Sequence, residues 1–127
     1  MTNVVSRPNR TRPSRGDSGR DLTQSAMDYI EAHSAEKFSL QAMAEAMFVN
    51  GSYLLRVFKA NTGHTLLWYH NHVRCEKAKA LLDTRERSIS RIGEDVGFAS
   101  SAHFSHVFKK MTGMTPSEYR DSPRQAP

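Results

Sequence analysis

The amino-acid sequence predicts an all-α protein, a seven-helix, two-lobed bundle in which two helix-turn-helix motifs are joined by a long connecting helix. Three observations lead to this prediction. One thirteen-residue segment occurs twice, at residues 57–69 and 107–119. Each copy is preceded by a short helical pattern, a break and a second helical pattern that runs into it. A further helical run lies between the two copies.

The repeat emerges when the chain is compared with itself at an offset of fifty residues. VFKANTGHTLLWY then aligns with VFKKMTGMTPSEY, and seven of the thirteen positions are identical. A solenoid needs about three or more repeats to bury its faces, so two copies indicate one supersecondary unit used twice. The identical pairs are Val57/Val107, Phe58/Phe108, Lys59/Lys109, Thr62/Thr112, Gly63/Gly113, Thr65/Thr115 and Tyr69/Tyr119.

The residues before each copy are typical of a helix-turn-helix. Ser39 and Ser88 are candidate N-caps, and apolar residues then recur at helical spacing. A short break follows at residues 48–51 and 97–100, and both second helices end in Thr-Gly, where glycine can adopt the left-handed conformation. The predicted helices span about residues 40–47 and 51–62 in the first motif and about 89–96 and 101–112 in the second.

Three further helices complete the predicted bundle. The connecting helix runs from after Thr65 to about Leu82, and a short last helix opens at Pro116, whose missing N–H is no loss in a first turn. The first helix spans about residues 22–34, with one apolar face made by Leu22, Ala26, Tyr29 and Ile30.

The duplicated pattern resembles the DNA-binding domain of the AraC/XylS transcription regulators. The matching residues are the Ser-Leu and Ser-Ile that open the motifs, the Val-Phe-Lys and Thr-Gly-x-Thr-x-x-x-Tyr of each repeat, and the run RCEKAKALL of the connecting helix. The resemblance covers about residues 22–121. It implies a sequence-specific regulator of transcription, acting as an activator, with double-stranded DNA and RNA polymerase as partners. The residues themselves are equally consistent with repression. A monomer would place the second helices in successive major-groove segments, about 34 Å apart.

The second helix of such a motif enters the major groove, and its N-terminal residues meet base edges. Apolar residues such as Leu54 and Phe104 must face the core, which leaves the opposite face for DNA. The family's pattern, carried over through the Phe-Lys pair, implies the same face. Arg56 suits a bidentate contact with guanine, and Leu55 can meet only a thymine methyl group. The predicted base contacts are Ser52, Leu55, Arg56, Ser101, Ala102, His103 and His106, and the predicted phosphate contacts are Asn50, Gly51, Lys59, Ser100, Lys109 and Lys110.

The sequence departs from the family's pattern at several positions. The first turn has Phe48 where glycine is usual, and His106 stands where arginine is frequent. Ser52 and Ala102 are small, so few long polar side chains are available to read bases. We therefore expect the second motif to bind more weakly or less selectively.

Residues 1–20 are expected to form a disordered, Arg-rich arm, because they offer little apolar surface to bury. They hold five Arg and one Asp, a net charge of +4 (5 − 1). The arm is either a solvated tail or a segment that reaches a minor groove or phosphates. Residues 21–121 form the predicted DNA-binding domain, and residues 122–127 a flexible tail.

Composition excludes other classes of protein. No run approaches the roughly 18 apolar residues of a membrane span, and no hydrophobic leader is present, so we expect a cytoplasmic chain with no membrane partner. The single cysteine, Cys75, excludes an intramolecular disulfide framework and is expected in the core. His70 and His72 point apart on a helix, so no metal is expected. The sequence predicts no cofactor and no enzyme.

Two other classes stay open. One is a protein-interaction module of the same fold that binds RNA polymerase or another regulator. The other is an enzyme-linked role, since this fold also occurs fused to alkyl-transfer repair domains. The chain could also be a fragment of a longer regulator.

Overall fold

The computed structural model describes the backbone of residues 15–122 and the side chains of residues 20–122. These residues contain no strand, and the all-α prediction is confirmed. None of the helices in this range is long and apolar enough to cross a membrane. The helices are α1 (Arg15–Ala32), α2 (Leu40–Ala46), α3 (Gly51–Thr62), α4 (Leu66–Thr84), α5 (Ile89–Asp95), α6 (Ser101–Thr112) and α7 (Pro116–Asp121).

The N-terminal boundary differs from the prediction. Helix α1 begins at Arg15, not near residue 22, so residues 15–20, which we expected in the disordered arm, are helical. Adding residues to an existing helix costs little compared with starting one, and no proline interrupts this stretch after Pro13. The rest of the predicted arm, residues 1–14, and residues 123–127 of the predicted tail lie outside the described residues.

The chain folds into two compact units. Unit one contains the described residues up to Tyr29 together with 39–66, and unit two contains residues 30–38 and 67–122. In unit one, α1, α2 and α3 surround a small core in which Leu54 and Phe58 are 0% exposed. The amide of Asn61 on α3 donates to the hydroxyl oxygen of Thr23 on α1 over 2.9 Å. Other core residues of this unit are Ala26, Met43, Ala44 and Leu66.

Unit two has the larger core, formed by α4, α5 and α6. Cys75, predicted to be a small core residue, lies in it and is 1% exposed. The segment before α2 is held by α4, because the guanidinium of Arg74 donates to the carbonyl oxygens of Ser34 and Glu36 over 2.6 and 2.7 Å. The remaining buried members of the core are Ala78, Leu82, Ile92, Val96, Phe98, Phe104, Val107 and Phe108.

The two turns of the motifs have the same hydrogen bonds but different residues. Phe48 N donates to Glu45 O in the first turn, and Gly97 N donates to Glu94 O in the second. Both residues have a positive φ, 57° for Phe48 and 107° for Gly97. The second turn is one residue longer, since Ala99 has no counterpart in the first.

Candidate nucleic-acid interface

Side-chain caps fix where α3 and α6 begin. Asn50 Oδ1 accepts from the backbone N–H groups of Ser52 and Tyr53 over 2.8 and 3.2 Å. Ser100 Oγ accepts from the N–H of His103 over 3.0 Å. These contacts satisfy donors that a helix start otherwise leaves without partners. They give both helices the same start relative to the repeat.

Two glycines end the same helices. Gly63 and Gly113 have φ values of 81° and 88°, and their N–H groups donate to Lys59 O and Lys109 O over 2.8 Å. Left-handed backbone of this kind favours glycine. The identical start and stop mean that α3 and α6 present equivalent positions fifty residues apart.

The predicted contact residues lie opposite the buried face of each helix. Phe58 of α3 and both Phe104 and Phe108 of α6 are 0% exposed. Successive residues of a helix are rotated by about 100°, so the side chains four residues apart that face away from these phenylalanines form one stripe. Among the predicted contact residues, Gly51 is half-buried and the others are exposed. The exposed residues are Asn50, Ser52, Leu55, Arg56, Lys59, Ser100, Ser101, Ala102, His103, His106, Lys109 and Lys110.

Exact equivalence reveals residues that the sequence analysis missed. At an offset of fifty, His103 corresponds to Tyr53, and Leu55 corresponds to Ser105. Each helix therefore has a central stripe of residues four apart, which are Ser52 and Arg56 in α3 and Ala102 and His106 in α6. One position lies on each side of the stripe, Tyr53 and Leu55 in α3 and His103 and Ser105 in α6. Tyr53 is 38% exposed and belongs to the candidate interface. The repeat offset was the signal that could have identified both Tyr53 and Ser105.

The first motif holds an arginine beside an aromatic ring. The guanidinium carbon of Arg56 lies 5.5 Å from the centroid of the Tyr53 ring. A cation over a tyrosine face is attracted by the ring quadrupole. This contact orients the guanidinium along the exposed face of α3. Leu55, on the other flank, is 42% exposed and adds an apolar contact surface.

The second motif orients a histidine through a buried ring. The imidazole of His103 meets Phe98 edge-on, with 5.3 Å between ring centroids. Phe98 is 4% exposed, and the guanidinium of Arg74 lies 5.1 Å from its centroid. His103 is thus supported from the core of unit two, whereas His106 stands in the exposed central stripe.

The charge on these helices has one sign. Neither α3 nor α6 contains an acidic residue, and their basic residues are Arg56, Lys59, Lys109 and Lys110. Of the acids on neighbouring elements, Glu118 of α7 lies close enough to Lys109 for their charges to interact. Hydrogen bonding to the backbone of Thr115 holds the pKa of its carboxyl below the usual value, and the positive charge of Lys109 adds to this. Both second helices can face a polyanion without repulsion.

Two of the predicted phosphate contacts already have structural roles. The side-chain oxygens of Asn50 and Ser100 act as the N-caps of α3 and α6. The amide nitrogen of Asn50 is still a donor by its chemistry, so a phosphate can be bound without breaking the cap. The oxygen of either side chain cannot change partners without exposing backbone N–H groups.

Other candidate residues of α4 lie apart from this surface. His70 is 3% exposed and meets Phe38 edge-on at 5.4 Å, whereas His72 stacks on Trp68 at 5.0 Å. No group of three His, Cys, Asp or Glu within the described part of the chain is arranged to hold a metal. Burial raises the pKa of the Cys75 thiol to about 11, which keeps it protonated and unreactive near neutral pH.

Comparison with known proteins agrees with this geometry. A family model described as a helix-turn-helix domain matches residues 43–122. The arabinose operon regulatory protein of Escherichia coli is 36% identical over 96 residues, which is 75% of this chain and 33% of that protein. The chain thus spans about a third of the length of the curated relatives it matches.

Solved structures show the same fold. The C-terminal domain of AraT, a response regulator from Geobacillus stearothermophilus, superimposes with a TM-score of 0.77 at 31% identity, covering 91% of this chain and 92% of that one. The DNA-binding domain of the transcriptional factor AdpA, solved in complex with a target DNA, gives a TM-score of 0.66 over 80% of this chain and 88% of that one. Its identity of 22% shows the fold alone.

The fold and the acid-free second helices define a helix-turn-helix DNA-binding domain of a transcription regulator. More narrowly, the chain belongs to the AraC-type helix-turn-helix family, and the resemblance found in the sequence is confirmed.

Proposed function

We propose that α3 and α6 each enter one major-groove segment of double-stranded DNA, and that a single copy of the chain reads two successive segments. The observation that carries the proposal is the pair of exposed faces, which hold the predicted contact residues and no acid. A DNA backbone carries one negative charge per phosphate, so it approaches a basic, acid-free face most readily. Successive major-groove segments on one side of DNA recur about every 34 Å.

In the first motif, Arg56 is the main reader. A guanidinium can donate two hydrogen bonds to the O6 and N7 acceptors of guanine. Its contact with Tyr53 at 5.5 Å supports this role, because an oriented side chain loses less entropy on binding. Leu55 contacts a thymine methyl group, and Ser52 accepts or donates a hydrogen bond near the start of the helix.

In the second motif, His103 and His106 are the readers. The side chains of Ser101 and Ala102 are too short to reach far into a groove, so imidazoles provide the polar contacts. Phe98 supports His103 from below, and His106 occupies the position equivalent to Arg56. This motif is the weaker reader, because an imidazole makes fewer simultaneous hydrogen bonds to guanine than a guanidinium.

Phosphate contacts hold both helices in register. Lys59, Lys109 and Lys110 are exposed near the ends of α3 and α6 and neutralise phosphates without reading bases. At the N-terminal ends of the two helices, Asn50 and Ser100 bring side-chain donors close to the DNA. Gly51 has no side chain, so its backbone can approach a phosphate closely. Such contacts set affinity and its salt dependence.

The regulatory outcome we propose is activation, through contact between the DNA-bound chain and RNA polymerase in the cytoplasm.

A second candidate is a protein-interaction module, which the short Ser101 and Ala102 side chains of the second motif favour. Salt separates the two candidates. The affinity of a DNA binder falls steeply as salt rises, since binding releases counterions from the DNA. We propose no catalytic role for Cys75, whose thiol is buried and protonated.

The test is selection of binding sites from random double-stranded DNA, followed by titration of wild type and Arg56→Ala on the selected site. We expect a site with two conserved segments about one helical turn apart. Arg56→Ala should cost about 1–3 kcal/mol and relax the choice at one base pair. If the variant kept the full preference, α3 would not read bases through Arg56.

A further inference from the structure

The turn of the first motif carries an exposed aromatic side chain in an unfavourable backbone conformation. Phe48 has a φ of 57°, in the left-handed region that bulky residues rarely adopt. Its side chain is 95% exposed, so it makes almost no contribution to the core of unit one. Strained residues of this kind cluster at functional sites, so the outlier points to a function for this position.

The equivalent residue of the second motif shows that folding does not require an aromatic ring here. Gly97 occupies the same place with a φ of 107°, and a Cβ added to it would lie 2.6 Å from the carbonyl oxygen of Ala35. In the second motif, then, only glycine fits. In the first motif the position admits a side chain, and phenylalanine occupies it although glycine would satisfy the backbone without strain.

An open groove of unit one begins at the residues just before Phe48. It has a volume of about 450 Å³ and lies between α1 and the end of α2. Its walls expose about as much polar as apolar surface. The residues that line it are Leu22, Ser25, Asp28, Tyr29, Ala46 and Met47.

The charge around the groove is negative. Asp28 lines it, and Glu45 is exposed on the adjoining turn of α2. Asp28 accepts a hydrogen bond from the amide of Gln24 at 3.0 Å, and Glu45 accepts one from Gln41 at 3.2 Å. These amides orient the carboxylates but leave their charges in place, because amides are neutral. This face of unit one is therefore opposite in sign to the exposed face of α3.

We propose that the groove and the ring of Phe48 together form a docking surface for a helical segment of another protein, with an apolar stripe flanked by basic residues. Apolar side chains at helical spacing would fill the groove and cover Phe48, as amphipathic helices do in other grooves. Lysine or arginine at the edge of that helix would meet Asp28 and Glu45. DNA does not fit this face, because its phosphates would be repelled by both carboxylates.

The test uses synthetic helical peptides and the isotope-labelled chain without DNA, so it does not depend on the proposed DNA contacts. One peptide carries leucines at helical spacing flanked by lysines, and a matched peptide has glutamates in place of the lysines. NMR chemical shifts locate binding, and calorimetry measures affinity. The variants are Phe48→Gly and Asp28→Lys, and the control is Leu67→Ala, which removes an exposed apolar side chain of unit two.

We expect the lysine peptide to shift resonances of α1, α2 and the turn, and to bind more tightly than the glutamate peptide. Phe48→Gly should weaken binding by about tenfold or more, since this variant lacks the phenylalanine ring that the bound peptide would bury. The same substitution should raise the melting temperature, because it removes the strained φ. Asp28→Lys should reduce or reverse the difference in affinity between the lysine peptide and the glutamate peptide. Leu67→Ala should leave the affinity for each peptide unchanged.

Three results would overturn the proposal. The first is equal binding of the lysine peptide to wild type and Phe48→Gly, or shifts located elsewhere. A second is loss of DNA affinity in Phe48→Gly, measured in a separate DNA titration, which would place the ring on DNA. The third is concentration-dependent self-association that Phe48→Gly removes, which would make a second copy of this chain the occupant.

Discussion

The guanidinium of Arg56 lies 5.5 Å from the ring centroid of Tyr53, one helical turn away on the exposed side of α3. Both residues are at the surface, where a cation–π contact contributes about 0.5–1 kcal/mol. The contact matters more for recognition than for stability. It restricts a long, flexible side chain to the region where a base edge would lie, so part of the ordering cost is met before DNA binds.

Substitution of Tyr53 separates the ring from the hydroxyl group. Tyr53→Phe keeps the aromatic face and should leave affinity and base preference close to wild type. Tyr53→Leu removes the face and should weaken binding to the selected site by up to about fivefold, mainly at the base pair read by Arg56. Competition titrations with each base at that position measure the effect. Equal losses in the two variants would mean that the hydroxyl group itself contacts DNA.

The phosphate contacts are tested by salt dependence. Lys109→Ala should weaken binding to all sequences alike and lower the slope of log affinity against log salt by about one, because one fewer counterion is released. Lys37→Ala is the matched control, since Lys37 is exposed on the segment before α2, outside both motifs. A sequence-dependent loss in Lys109→Ala would instead make Lys109 a base reader.

Much of the fold could be predicted because local signals were strong. The bounds of α3 and α6 match the prediction, since caps at Asn50 and Ser100 and glycines at 63 and 113 define both ends. The core positions followed from helical spacing around Phe58 and Phe108. No such signal marked the start of α1, where polar residues continue the helix toward its N-terminus.

The details of the interface depend on contacts that no local pattern encodes. The position of the Arg56 side chain over Tyr53 is a rotamer choice, and the support of His103 by Phe98 requires a ring buried from another part of the chain. The exposure of Phe48 was equally hidden, since an aromatic residue in a motif normally suggests burial. Its departure from the family's glycine was visible, but the open groove beside it was not.

Buried His70 makes the stability of unit two depend on pH. Its pKa is lowered from 6.5 to about 4, first by burial and then by the charge of Arg74, against a hydrogen bond to the backbone of Glu36. As pH falls below 6.5, His70 takes up a proton in the unfolded chain, whereas in the folded chain it stays neutral until about pH 4. Stability present above pH 6.5 is therefore lost progressively down to about pH 4, by about 3 kcal/mol in total from this group.

The measurement is urea unfolding between pH 7.5 and 4.5 for wild type, His70→Gln and the exposed control His64→Gln. Carboxylates titrate in all three proteins, so the difference between variants isolates the histidine. We expect the free energy of unfolding to decrease less with falling pH in His70→Gln than in wild type, and to decrease as in wild type in His64→Gln. If it decreased equally in wild type and His70→Gln, His70 would not be the cause of the lost stability at acid pH.

The histidines of α6 should carry the polar base contacts of the second motif. His103 and His106 are exposed on the face that we assign to DNA, and His106 lies in its central stripe. An imidazole can donate or accept a hydrogen bond at a base edge. Replacing both rings should therefore weaken binding to the selected site and relax the choice of base pairs in the segment that α6 reads.

The two positions should contribute unequally to this effect. The ring of His103 is held edge-on against Phe98, whereas the ring of His106 stands at the place equivalent to Arg56. His106→Ala should therefore cause most of the loss, about 1–3 kcal/mol, His103→Ala a smaller part, and the double variant the largest loss. Arg56→Lys changes only the first motif and is the control, because it should leave the base preference of the second segment as in wild type. Competition titrations with base substitutions in that segment measure the effect, and an unchanged preference in the double variant would mean that α6 does not read bases through these histidines.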